Sequence, residues 1–105
     1  MNEIKGKGYL VANFTIHDTE GFQKYGQAAG HLAAGFNGRI IMFETMPRIK
    51  EGKAEAVMAL MEFDTVEDAE RFYNSPEYTE ARKFRTASAS GSIVIGEGFA
   101  VEVNK

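Results

Sequence analysis

Ala54-Glu55-Ala56-Val57-Met58-Ala59-Leu60-Met61-Glu62-Phe63 is nearly continuously apolar from Val57 to Met61. A strand of this kind shows no alternation of apolar and polar residues, so it calls for cover on both of its faces. Helices can supply one cover, and the source of the other decides the architecture. On its C-terminal side, Asp64-Thr65-Val66-Glu67 has the form of a capping box, opening a helix in which Ala69, Phe72 and Tyr73 share a face. Asn74-Ser75-Pro76 interrupts that helix, because proline disfavours helical geometry in the residue before it. Pro76 itself suits the first turn of a resumed helix, which carries Tyr78, Ala81, Phe84 and Arg85 to about Ala89 and is ended by Gly91. Ile93-Val94-Ile95 begins the last strand, and beyond Gly96-Glu97-Gly98 the alternating run Phe99 to Val103 could pair as a fifth, edge strand.

On its N-terminal side, the charged loop Met46 to Lys53 leads back to a strand from Arg39 to Thr45, entered by the turn signal Asn37-Gly38. Before it, Phe22, Tyr25, Ala29, Leu32 and Phe36 recur at steps of three and four behind the N-cap Asp18, predicting a helix from Thr19 to Gly35. Gly21, Gly26 and Gly30 each weaken that helix by roughly 0.5 to 1 kcal/mol relative to alanine, so tertiary packing must hold it. Tyr9 to Ile16 reads as the first strand, with Leu10, Ala12, Phe14 and Ile16 on one face and Tyr9, Val11, Asn13 and Thr15 on the other.

The order is β, α, β, β, α, β, the split βαβ arrangement of an α+β protein with an antiparallel sheet and two helices on one face. Two helices cover one sheet face only. The aliphatic residues of the other face need a partner, and a second copy packed sheet to sheet supplies it, which predicts an isologous homodimer.

Composition narrows the function. At 105 residues and 11.6 kDa the chain is expected to form one domain, residues 1–105, and its 44% apolar and 26% charged residues are those of a globular protein. With no cysteine, thiolate nucleophiles, iron–sulfur clusters and cysteine zinc sites are excluded, and a cytoplasmic location is expected. A net charge of -3 and a pI near 5.4, with scattered lysines and arginines, give no footprint for nucleic acid. No stretch approaches the roughly 20 apolar residues of a membrane span, and no apolar segment follows the first charges, so neither export nor membrane insertion is expected. The sequon Asn13-Phe14-Thr15 then has no compartment in which to act.

The segment Gly8-Tyr9-Leu10-Val11-Ala12-Asn13, the aspartate-led helix with Phe22 and Tyr25, Gly38-Arg39, Glu62-Phe63 and the run Phe72-Tyr73-Asn74-Ser75-Pro76-Glu77-Tyr78 followed by Arg85 carry a resemblance. The chain resembles the family catalogued as domain of unknown function 1330, within the dimeric α+β barrel superfamily. The likeness runs from Gly8 to about Gly96, and the last motif is its most specific part. Asn37-Gly38 replaces the family's two glycines, and Phe43-Glu44-Thr45 lacks its usual arginine and glycines. The resemblance implies a ferredoxin-like subunit that pairs through its sheet into a barrel, with no established activity. The wider superfamily includes cofactor-free oxygenases, isomerases and haem-degrading enzymes, a fold-level analogy that assigns no reaction.

His17 and His31 are the only histidines, and neither has a partner at metal-ligand spacing, so no metal is expected. Surface or packing roles are the plainer assignment for both. If one acts in chemistry, His31 is preferred as a general base beside the Leu32 and Phe36 stripe. Gly6-Lys7-Gly8 and Gly96-Glu97-Gly98 lack the third glycine and following helix of a dinucleotide fingerprint, and no cofactor is predicted. Ser88, Ser90 and Ser92 lie outside any nucleophile motif, and Met42, Met58 and Met61 read as core filling.

Glu62, Arg85 and Asn13 sit within or beside apolar sequence, where an unpaired polar group is costly. The favoured reading is a structural pair between Glu62 and Arg85. The functional reading has Arg85, with Tyr73 or Tyr78, orienting a small aromatic or anionic ligand between helices and sheet, and Asn13 facing either that pocket or the dimer. Two function classes follow. One is a cofactor-independent oxygenase or isomerase using His31, Arg85, Tyr73 and Asn13; the other is a non-catalytic dimeric binding or stress-associated protein. A pocket of roughly 300 Å³ or more favours the first, and a fully packed core the second.

Overall fold

A computed structural model of the protein describes residues 6–99. The elements are β1 (Gly8–Ile16), α1 (Thr19–Ala29), a 3₁₀ turn (Ala33–Phe36), β2 (Gly38–Glu44), β3 (Val57–Phe63), α2 (Val66–Asn74), α3 (Pro76–Ser88) and β4 (Ala89–Glu97). The sheet order is β2-β3-β1-β4, with every neighbouring pair antiparallel. The expected βαββαβ order therefore holds, with the second helix split in two. The run Phe99 to Val103, expected as a fifth strand, lies outside the described residues apart from Phe99, which is exposed and outside any strand.

Register assigns each side chain to a face. Leu10 stands opposite Met61 and Ile95, and Ala12 opposite Ala59 and Ile93, all turned toward the helices. Val11 stands opposite Leu60 and Val94, and Met42 opposite Leu60, on the face that no helix covers. Met58 shares that open face and only Met61 belongs to the core, so core filling describes one methionine of the three. The shortest principal extent is 16 Å, the thickness of one sheet with one helical layer.

Ser75 explains the break between α2 and α3. Its hydroxyl donates to the Phe72 carbonyl (2.9 Å) and accepts from the Tyr78 N–H (3.1 Å), so one residue closes the first helix and caps the second. Pro76 follows as the first residue of α3, as the sequence predicts. The bend turns both Phe72 and Tyr78 into the core, where neither is exposed at all.

Several boundaries differ from the sequence expectation, among them the start of β3, which lies at Val57 and not at Ala54. The first helix ends at Ala29 and not at Gly35, because beyond Gly30 the backbone bonds tighten: Leu32 N–H donates to Ala29 and Gly35 N–H to Leu32, each three residues back. Glycines at 26 and 30 supply no side chain with which to continue the buried stripe. Gly91 does not end the last helix but lies inside β4 opposite Phe14, since the strand starts directly after α3 at Ala89. A Cβ at Gly91 would come within 2.2 Å of the Asn13 carbonyl oxygen, so close strand approach accounts for this glycine.

Candidate functional site

The covered face of the sheet is packed unevenly. Beneath α2 and the start of α3, Phe63, Phe72 and Tyr78 are wholly buried, with ring centroids 5.3 Å apart for the first pair and 4.5 Å for the second. The aromatic chain continues from Tyr78 to Tyr25 (6.2 Å), Phe22 (5.4 Å) and Phe14 (5.3 Å). At the α1 end of that chain lies an apolar cavity of about 110 Å³. Its roof is Phe22, Tyr25 and Gly26 of α1, and part of its floor is the cross-strand pair Ala12 and Ala59, whose small side chains leave the space empty. Phe43 of β2 forms a side wall that is shared with an open groove reaching Gln23, Gln27 and Thr45.

Tyr25 is the sole polar side chain in the cavity lining. Its hydroxyl is 2.9 Å from that of Tyr78. Burial, and then the neighbouring Tyr78, push the Tyr25 phenol far above its ordinary range, with Arg85 opposing the shift. Tyr25 is thus a neutral hydroxyl, able to donate or accept a hydrogen bond and unsuited to act as a base. The Arg85 guanidinium carbon stands 5.9 Å from the Tyr25 ring centroid, and the Arg85 Nε is shielded from water with no hydrogen-bond partner among the described residues. Tyr73 packs on Tyr78 at 5.5 Å, and the Arg82 guanidinium carbon lies over the Tyr73 ring, 4.8 Å from its centroid.

Of the ligand residues expected from sequence, Arg85, Tyr73 and Tyr78 are therefore brought into one cluster, joined by Tyr25. Sequence reasoning placed Tyr25 on the buried stripe and gave it no polar role; its recurrence with Phe22 and Ala29 carried the packing signal and not the hydroxyl. Asn13 is separate. It faces the open side of the sheet, where Nδ2 donates to the carbonyls of Glu55 (3.1 Å) and Val57 (2.9 Å) and Oδ1 accepts from the Glu55 N–H (3.1 Å). That amide fastens the return of the β2–β3 loop to β1, and it does not reach the cavity.

The pair of Glu62 with Arg85 is absent. Glu62 lies between Met61 and Phe63, both turned toward the helices, so strand alternation points it to the open face. There it accepts from Arg39 Nε (3.0 Å) and from the Tyr9 hydroxyl (2.9 Å), and Arg39 also reaches Asp64 at 3.2 Å. Hydrogen bonds from Tyr9 and then Arg39 hold the Glu62 carboxyl below the usual carboxylate range, and the same contact raises the Tyr9 phenol. Arg85 is on the helical side of the sheet, out of reach of Glu62.

Neither histidine enters the cavity. His31 is exposed in the turn after α1, because the helix stops before it, which removes the placement that made it a candidate base. His17 Nε2 is 2.7 Å from the Ser90 hydroxyl, and both residues are exposed. Among the described residues no three His, Asp or Glu side chains gather as a metal site.

The family described as Domain of unknown function (DUF1330) matches residues 7–99. The chain belongs to the DUF1330 family. This DUF1330 protein is similar in structure to a protein of unknown function from Rhodopseudomonas palustris, with a TM-score of 0.75 at 15% identity, covering 93% of this chain and 86% of the other. It is also similar to a dimeric protein of unknown function and ferredoxin-like fold from Bacteroides fragilis, with a TM-score of 0.55 at 19% identity over 87% and 94% of the two chains. A candidate antibiotic biosynthesis monooxygenase from Nitrosomonas europaea gives a TM-score of 0.54 at 14% identity over 90% and 93%. These likenesses establish that the DUF1330 chain has the ferredoxin-like fold. No curated protein matches it significantly. No helix among its described residues is long and apolar enough to cross a membrane.

Proposed function

We propose that this DUF1330 protein is a homodimeric binding protein for a small aromatic molecule, which inserts one ring between α1 and the sheet. The cavity is the observation that carries this reading. Its 110 Å³ is nearly all apolar wall, somewhat less than the roughly 150 Å³ of an apolar cavity that admits benzene, so a ring would also use the adjoining groove at Phe22 and Phe43. A larger remainder of the ligand would lie in the adjoining groove between Phe22 and Phe43, toward Gln23 and Gln27. The enclosed space falls short of the roughly 300 Å³ at which small-molecule pockets usually begin. Its lining also supplies no carboxylate and no imidazole, and Tyr25 keeps its proton. Both features favour binding over general-base chemistry.

The homodimer is supported by the open sheet face, where Val11, Met42, Leu60 and Val94 form an apolar centre, Val94 being 59% exposed in the single chain. Tyr9, Glu62 and Arg39 stand at one margin of that centre as a polar rim. The Bacteroides fragilis relative is described as dimeric. Pairing through this face leaves the cavity free on the opposite side.

Thermal-shift and calorimetric titrations with toluene, phenol and indole test the binding. A saturable single site is expected in the unaltered protein and its loss in Gly26→Leu, whose side chain would enter the cavity from α1. Absence of binding by all three would contradict the proposal. Stoichiometric oxygen uptake on adding a hydroquinone would instead establish an oxygenase.

A further inference from the structure

We infer that the ligand of this cavity is an aromatic monocarboxylate, whose ring occupies the apolar space and whose anionic group is held by Arg85 together with the Tyr25–Tyr78 hydroxyl pair. The inference rests on the cavity being a binding site and adds the chemical class of the occupant. Its starting point is the Arg85 Nε, which is withdrawn from water and has no acceptor among the described residues. A buried donor left unmade is destabilising, more so when it belongs to a charged group, so such a group in a native structure calls for an explanation. Arg39 and Arg71 each have a carboxylate partner, in Glu62 and Asp68. Arg85 has none, although it lies on the stripe of α3 that carries the buried residues Tyr78, Ala81 and Ser88.

The hydroxyl pair points the same way. Tyr25 and Tyr78 hold one proton each, and one of the two makes the 2.9 Å bond between them. The second proton remains available to an outside acceptor. With the guanidinium 5.9 Å from the Tyr25 ring centroid and that ring forming part of the cavity roof, Tyr25 is the shared wall between the apolar space and the cationic group. Arg85 and the wholly buried Tyr78 stand behind Tyr25 and outside the cavity lining, so a ligand that displaces the edge of Tyr25 would receive one N–H and one O–H. Two donors and one positive charge in apolar surroundings match a single carboxylate, whereas a phosphate dianion would be left with uncompensated charge and unfilled acceptors.

The test compares phenylacetate with its methyl ester, and benzoate with toluene, by calorimetry on the unaltered protein and on Arg85→Met and Tyr25→Phe. The acids are expected to bind about 10- to 100-fold more tightly than the neutral partners, the usual contribution of a charge-assisted hydrogen bond. In Arg85→Met that preference should vanish while the neutral compounds bind as before; Arg85→Lys, which keeps the charge but lacks the Nε–H, should retain only part of it. Equal affinity for acid and neutral compound, or a preference that survives in Arg85→Met, would overturn the inference while leaving the cavity as a binding site. Failure of every compound to bind would remove both together.

Discussion

The two ends of the helical layer rest on the same sheet and use the same kinds of residue, yet one is closed and the other is not. Under α2 and α3, Phe63, Phe72 and Tyr78 are packed without exposure. Under α1, Phe22 and Tyr25 are only partly buried and border empty space, and the neighbouring Ile40 and Phe43 of β2 remain 52% and 54% exposed. The difference originates in small residues. Gly26 on α1, Gly30 just past its end and the facing alanines 12 and 59 on the sheet remove volume at one end, and the early stop of α1 at Ala29 removes cover from β2. At the other end, the Ser75–Pro76 bend drives two aromatic rings inward. The empty space under α1 is thus made by what the sequence omits at certain positions.

That contrast can be broken most forcefully at its closed end. Phe72→Ala should cost about 3–5 kcal/mol, as for deletion of a fully buried ring, whereas Phe22→Ala, beside space already empty, should cost clearly less. Urea denaturation of the two variants measures the gap, and equal losses would mean that the ends are packed alike. On the uncovered face, Leu60→Asp would place a charge at the centre of the interface expected between two copies. Light scattering should then show a monomer near 11.6 kDa where the unaltered protein shows twice that mass. A monomer from the unaltered protein would refute the homodimer.

Smaller effects sharpen the comparison within α1. An added Cβ at Gly26 meets nothing within 4 Å, so Gly26→Ala should stabilise by about 0.5–1 kcal/mol, the helical penalty of glycine. At Gly21 the same Cβ lies 2.9 Å from Asp18 Oδ2 and 3.1 Å from Ser88 Cβ, so Gly21→Ala should gain less or lose stability. The smallest effect concerns pH. Because the folded Glu62 carboxyl titrates below its ordinary value, its contribution is fully present above the unfolded carboxylate pKa and disappears as pH falls through the folded one. Glu62→Gln should therefore lower stability slightly near neutrality, leave it unchanged at acid pH, and so flatten the acid limb of stability against pH.

Much of the fold was legible because periodicity is a local property. The unalternating strand Val57 to Met61, the capping residue Asp18 and the Ser75-Pro76 break each mark a local feature that the structure retains, while the capping box read over Asp64 to Glu67 is set one residue later, with Thr65 capping the Asp68 N–H. The end of α1 was not legible, since the apolar stripe runs on through Leu32 and Phe36 while the backbone changes to a tighter turn. Site residues were legible only in part. Arg85, Tyr73 and Tyr78 share one cluster, but the partner of Glu62 depended on strand parity, which its neighbours Met61 and Phe63 specify once the covered face is known. Asn13 was likewise resolved by parity, together with a loop return at Glu55 that no local pattern announces.

The proposed ligand site lies at the open end of the helical layer, under α1. Methyl and aromatic NMR spectra recorded during titration with phenylacetate test it most directly. Saturable shifts are expected at Ala12, Phe22, Tyr25, Ala59 and Tyr78, with no change in Ala69 at the closed end. Shifts centred on Val11, Leu60 and Val94 of the uncovered face, or no shifts at all, would contradict it.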